Sequence, residues 1–111
     1  HKMRLLEIDA PERDQPIGTE STAFLKELLK AKLIDADISG QDRYKRDLAR
    51  IYVKGKDINR IMVSNGMAWV YDAYVTDKSF YKDQALAQTN QLGVWSSSDA
   101  IPPWTWRRNR Q

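Results

Sequence analysis

A chain of 111 residues, 41% hydrophobic and 30% charged, is long enough for one domain with one modest core and too short for two. Its net charge of +3 permits a polyanionic partner without demanding one, and no apolar run is long enough for a transmembrane helix. Without cysteine, disulfides and thiolate metal sites are excluded; with His1 as the single histidine, at the very end, a histidine triad or zinc site is not expected either. Any chemistry must rest on carboxylates, arginines and a hard cation.

In chain order, residues 2–8 (KMRLLEI) read as a strand. The Asp9-Ala10-Pro11 turn ends it, because Pro11 cannot donate to a ladder and biases Ala10 towards extended geometry. A polar loop with Pro16 and Gly18 follows. Thr19 or Ser21 then caps a helix to about Lys32, with Phe24, Leu25, Leu28 and Leu29 as one apolar stripe. Residues 33–38 alternate Ile34, Ala36 and Ile38 with Asp35 and Asp37, the pattern of a half-buried strand. Ser39 to Lys45 is a charged loop.

Residues 46–53 form a further strand, with Leu48, Arg50 and Tyr52 on one face and Ala49, Ile51 and Val53 on the other. Gly55 marks a turn, Asp57 caps a short helix to about Asn65, and Gly66 stops it. Residues 67–74 are apolar and extended. A third helix runs from Asp77 or Ser79 to Leu92 and is stopped by Gly93. The rest, with Trp95, Pro102, Pro103, Trp104 and Trp106, reads as an irregular arm anchored by its tryptophans. The expected class is α+β, with residues 1–96 as the domain and 97–111 as the arm. Three strands close a sheet poorly, so further strands are expected before the first, and the open edge invites pairing with another chain.

Asp9 and Glu12 stand in the turn straight after a strand that carries Arg4. A calcium ion takes six to eight oxygen ligands, and Asp9 with the carbonyl of Ala10 offers two of them. Glu12, one turn on, can hold or deprotonate a water. An acidic loop that caps its own backbone has the same appearance. Arg46 opens a strand after Asp42-Arg43-Tyr44-Lys45; an arginine fork binds two phosphate oxygens at once and keeps its charge. Arg4 and Arg46 can flank a pentacoordinate phosphorus, or each can pair with a nearby aspartate. Two basic clusters, Arg43, Lys45, Arg46 and Arg50, and Arg107, Arg108 and Arg110, read equally well as solvated faces.

RLLEIDAPE at 4–12, DRYKRDLARIYV at 42–53 and NGMAWVYDAY at 65–74 resemble the staphylococcal (micrococcal) nuclease family in order and spacing. LGVW at 92–95 and PPWTWRR at 102–108 are similar to the ending of its bacterial plasmid and secreted branch. The resemblance implies an OB-fold and a calcium-dependent endonuclease that cuts DNA and RNA by in-line attack of water and leaves 3′-phosphate ends. It implies that Arg4 contacts the scissile phosphate, that Asp9 and the carbonyl of Ala10 bind Ca2+, and that Glu12 is the general base or positions the water. Arg46 would assist the departing 5′ oxygen, Arg43 and Tyr44 would grip a terminal phosphate, and a base would pack on Tyr74, with Tyr71 or Asp72 beside it. A secreted or periplasmic location is implied by resemblance alone.

The family domain opens with two strands ahead of residues 2–8, one bearing a second metal-binding aspartate, and neither is in this sequence. The expectation is that the segment exists upstream. A monomer is expected, or a strand-exchanged dimer without those strands, and Asp9 alone would make a weak calcium site. Lys45 stands where the family has glycine, which costs on the order of 1–2 kcal/mol if the position needs a positive φ. The rival function is a non-catalytic OB-type module that binds nucleic acid through basic and aromatic side chains. The joint presence of Arg4, Asp9, Glu12 and Arg46 favours catalysis, since a retired enzyme has no reason to keep all four.

Overall fold

The residues expected as one strand over 2–8 form two. In the computed structural model, which describes residues 3–30 and 33–109, Met3–Leu5 (β1) and Ile8–Asp9 (β2) are separated by a corner at Leu6 and Glu7. Glu7 has φ 75°, a left-handed conformation that costs a non-glycine residue roughly 1–2 kcal/mol. Its buried carboxylate offsets that cost. It accepts from the backbone N–H of Thr76 (3.1 Å), the Thr76 hydroxyl (2.8 Å) and the backbone N–H of Asp77. Hydrogen bonds to an ionised group are about twice as strong as neutral ones.

The corner hands the chain from one sheet to another. β1 runs parallel to Asp47–Val53 (β4), with Arg4 opposite Leu48, while Asp35–Gln41 (β3) and Lys56–Asp57 (β5) pair antiparallel with β4. β2 instead pairs antiparallel with Trp69–Val70 (β6), and Asp9 lies opposite Trp69. Among the described residues the larger sheet stays open, with β1 and β3 at its edges, and no closed barrel forms. The class is α+β.

β4 begins one residue after its expected start and otherwise follows its sequence period: Asp47, Ala49, Ile51 and Val53 are buried, while Leu48, Arg50 and Tyr52 are half-buried. Ala49, Ile51 and Val53 join Ile58, Met62 and Val63 of helix α2 (Ile58–Ser64) and Phe80 of α3 (Phe80–Thr89) in one core, which also takes in Ile8 and Val70. Fully buried Asn59 ties these layers. Its amide donates to the carbonyls of Leu6 (3.0 Å) and Ala49 (3.2 Å), and its oxygen accepts from Ile51 N–H (3.2 Å). Asn59→Ala strips these partners from backbone groups that water cannot reach. The expected loss is about 2–4 kcal/mol of stability, read as a lower urea midpoint at unchanged slope.

Several expectations are corrected. β3 is not half-buried: all seven residues are exposed, and it continues through Ser39 and Gly40, which were expected in a loop. It is an edge strand paired only with β4, and no described element covers Ile34 or Ile38. Helix α1 (Gly18–Leu28) has no side-chain cap from Thr19 or Ser21. The Thr19 hydroxyl bonds Glu20, and the buried Ser21 hydroxyl donates to the Met67 carbonyl at 2.7 Å. α1 ends before the expected limit, and residues 31–32 lie outside those described.

Asp57 does cap α2, accepting from Arg60 N–H at 3.1 Å. The expected stretch 67–74 is strand only at β6, after which Tyr71 to Tyr74 make a turn. α3 ends at Thr89 rather than Leu92, since Gln91 turns left-handed at φ 53°. Gly66 and Gly93 then meet back to back: a Cβ on either would fall 2.1 Å from a backbone oxygen of the opposite strand of chain. The tail is not irregular. Pro103–Asn109 is a helix (α4), because Pro103 sits in its first turn, where the missing N–H costs nothing.

Candidate active site

The corner at Glu7 fixes where Asp9 goes. Two residues on, at the end of β2, Asp9 is buried at 8% exposure, and Ala10 and Pro11 lead to Glu12. Gln15 clamps the turn that follows: its side-chain oxygen accepts from Glu12 N–H (3.0 Å), its own N–H donates to the Glu12 carbonyl (2.9 Å), and its amide reaches Ile101 (2.6 Å). Gly18 closes the turn, for a Cβ there would lie 1.9 Å from the Glu12 carbonyl oxygen. Glu12 therefore sits on a fixed backbone rather than a loose loop.

The two acids converge on one cation that the sequence did not reveal. Arg107 of α4 donates Nη2 to Asp9 Oδ2 at 2.6 Å, and Nη1 to both Asp9 Oδ1 (3.2 Å) and Glu12 Oε2 (3.0 Å). Its Nη2 also reaches the Tyr71 hydroxyl at 3.3 Å. In the sequence the tail arginines read equally well as a solvated face, so their charge alone does not assign Arg107 to this site. The available signal was spacing: Trp104 lies three residues before Arg107 and so shares its helix face. Trp104 stacks on Tyr71 (5.2 Å, 5° between planes) and meets Trp69 edge-on (5.8 Å).

Burial pushes the Asp9 carboxyl above its ordinary range, and Glu12 adds to the rise. The hydrogen bond and charge of Arg107, with the charge of Arg4, pull it back only in part. The hydrogen bond to Asp9 raises the pKa of Arg107 further, so this guanidinium stays charged. The pair thus combines a reluctant carboxylate with a permanent cation.

Arg4, in β1, lies 4.7 Å from the Tyr71 ring centroid and 6.0 Å from that of Tyr74, and its charge acts on Asp9. Tyr74 is exposed. Arg46 stands just before β4, and its Nε donates to Asp42 at 2.8 Å. Since Arg4 is opposite Leu48, two residues after Arg46, strand spacing places the Arg4 and Arg46 Cα atoms about 8 Å apart. Tyr44 is flanked by the guanidinium carbons of Arg43 (5.0 Å) and Arg46 (5.5 Å). The Asp42 side chain caps the loop through the N–H groups of Tyr44 (2.9 Å) and Arg46 (3.0 Å).

Lys45 has φ 62°. Relief of this left-handed strain exceeds the entropy that a glycine adds to the unfolded chain, so Lys45→Gly is expected to raise stability by about 0.5–1 kcal/mol in urea unfolding.

Among the described residues no group of three or more carboxylates or histidines could hold a metal ion. The donors that are present suit a hard cation: the Asp9 carboxylate, the Glu12 carboxylate and the Ala10 carbonyl are all oxygens. A cationic nitrogen, Arg107 Nη1, already lies within 3.2 Å of an oxygen from each acid. No helix among the described residues is long and apolar enough to cross a membrane.

Comparison with known proteins identifies the family. Residues 2–97 match the model of a family described as staphylococcal nuclease homologue. The chain is 39% identical over 110 residues to an uncharacterized endonuclease of Escherichia coli, covering 98% of this chain and 72% of that protein. It is 40% identical to an uncharacterized endonuclease of Haemophilus influenzae, covering 99% of this chain and 62% of the other. To the micrococcal nuclease of Shigella flexneri it is 36% identical, covering 96% and 68%. A match over most of the chain, on a fold that brings RLLEIDAPE beside the strand of DRYKRDLARIYV, leaves one conclusion: the chain belongs to the staphylococcal nuclease family.

Proposed function

We propose that this chain is a calcium-dependent endonuclease that hydrolyses phosphodiester bonds of DNA and RNA by in-line attack of water, leaving 3′-phosphate ends. One observation carries the proposal: a single guanidinium nitrogen is shared by Asp9 and Glu12, so their oxygens already converge on a point that suits a cation. Residues 1–96 form the catalytic domain in this reading, and 97–111 the arm.

Asp9 and the carbonyl of Ala10 would hold calcium, with Glu12 reaching it through water. When bound, the ion supplies positive charge to a phosphate oxygen. Glu12 accepts a proton from the attacking water or orients that water. Arg4 binds the equatorial oxygens, where negative charge grows as phosphorus becomes pentacoordinate. Arg46 faces the departing 5′ oxygen and stabilises its charge while keeping its own proton, which an arginine does not give up; the proton for that oxygen comes from solvent. Arg43 and Tyr44 grip a neighbouring phosphate, and a base packs on the exposed ring of Tyr74. These groups address phosphates and base faces rather than the ribose 2′ position, which supports action on both DNA and RNA.

The test is digestion of supercoiled plasmid and of single-stranded RNA, with calcium or with chelator. Both substrates are expected to be cut in calcium and spared in chelator. The DNA ends should resist polymerase extension until treated with phosphatase. Cutting that ignores the chelator removes the metal mechanism, and ends that extend directly remove the product assignment.

A further inference from the structure

We propose that Arg107 is the resident cation of the metal site: its guanidinium holds Asp9 and Glu12 while calcium is absent and has to withdraw for calcium to bind. The inference rests on the reading of these two acids as the calcium-binding pair. It adds a competitor supplied by the chain itself, which sets how much calcium the site needs.

Three observations carry it. First, occupancy: both oxygens of Asp9 and one of Glu12 accept hydrogen bonds from the same guanidinium. A divalent ion held by Asp9 would need the same carboxylate oxygens that the guanidinium engages, and would repel its charge. The two cations exclude each other.

Second, anchorage: Arg107 is held at the site by its helix, because Trp104 stacks on Tyr71 and abuts Trp69, which lies opposite Asp9 in the β2–β6 pair. The guanidinium is thus kept at high local concentration beside the acids. Third, an exit: the side chain of Arg107 is 31% exposed, against 9% for Asp9. Its head group can swing into water on its own flexible stem while Trp104 remains docked. Reciprocity follows from linkage: whatever Arg107 takes from calcium affinity, calcium takes from the Arg107 contact.

Calcium binding to the full chain, measured by titration calorimetry, tests this on the wild type, Arg107→Gln, Arg107→Lys, Asp9→Asn and Arg108→Gln. Arg107→Gln is expected to bind calcium roughly three- to tenfold more tightly, since the closed fraction no longer taxes the apparent affinity. Arg107→Lys should fall between, because an ammonium cannot bridge both acids with a planar fork. Arg108→Gln, on an exposed neighbour bonded to Thr105, should match the wild type.

Thermal unfolding gives a second readout that also serves if one variant binds poorly. Arg107→Gln should lower Tm in chelator and leave it unchanged in saturating calcium, whereas a purely structural contact would lower it in both. Equal or weaker calcium affinity in Arg107→Gln, or an equal loss of Tm in both conditions, overturns the inference. If the wild type binds no calcium, or Asp9→Asn binds it as well as the wild type does, the underlying calcium reading fails instead.

Discussion

Arg46→Ala is expected to lower the rate of phosphodiester cleavage by about 10³–10⁵-fold while the protein stays folded, the range for an arginine that stabilises a phosphoryl-transfer transition state. The fold should survive because little of it depends on the guanidinium. The side chain is one-third exposed, and its ion-pair partner is Asp42. A pair this close to solvent is screened and contributes little to stability. The alanine backbone can still donate its N–H to Asp42, and Tyr44 N–H keeps its own bond to the same oxygen, so the loop keeps its cap. The expected signature is a fall in kcat with KM little changed, together with an unaltered unfolding midpoint. A variant within about tenfold of the parent would deny Arg46 its place beside the leaving group.

Asp9→Asn should cost about 10³ in rate, the several kcal/mol that a correctly held Lewis acid supplies, and should remove the response to calcium. Its effect on stability has the opposite sign over part of the pH range. Burial raises the folded pKa of Asp9 above its ordinary value of 3.8. The native state therefore holds that proton more tightly than the unfolded chain does. Protonated Asp9 carries no penalty below pH about 3.8, and stability falls as pH rises from there through the folded pKa. Asparagine does not titrate. Unfolding followed from pH 3 upward should show Asp9→Asn gaining on the wild type across that window and running parallel above it. The Asp9–Arg107 attraction is already contained in that folded pKa, so any constant offset comes from the packing and hydrogen bonding of the amide. A difference independent of pH would mean that Asp9 titrates as it does in water.

The parts legible in the sequence are those whose cause is local. β4 shows its period of two because both of its faces are set within seven residues, and Asp57 announces its cap because the N–H it accepts lies three residues on. β3 shows the same period, yet alternation states only that one face prefers burial and not what covers it. The break between β1 and β2 was hidden because a glutamate makes the turn, and its strain is met by Thr76 and Asp77, some seventy residues away. Arg4, Asp9, Glu12 and Arg46 were visible as residue types suited to phosphate and metal chemistry, in segments with a family resemblance. Arg107 was invisible in the site. It arrives there through Trp104 on Tyr71, a tertiary contact that leaves only a three-residue spacing in the text of the chain.

The corner at Leu6 and Glu7 has a mechanical meaning. Arg4 rides on one sheet and Asp9 on the other, so the gap that a phosphate would span is a joint between two plates rather than a pocket within one. The buried carboxylate of Glu7 is the rivet of that joint. Loosening it would let the plates slide while each stays intact, so catalysis should fade at denaturant concentrations where the core is still closed. The spacing between Arg4 and Asp9 is expected to be lost before the core opens.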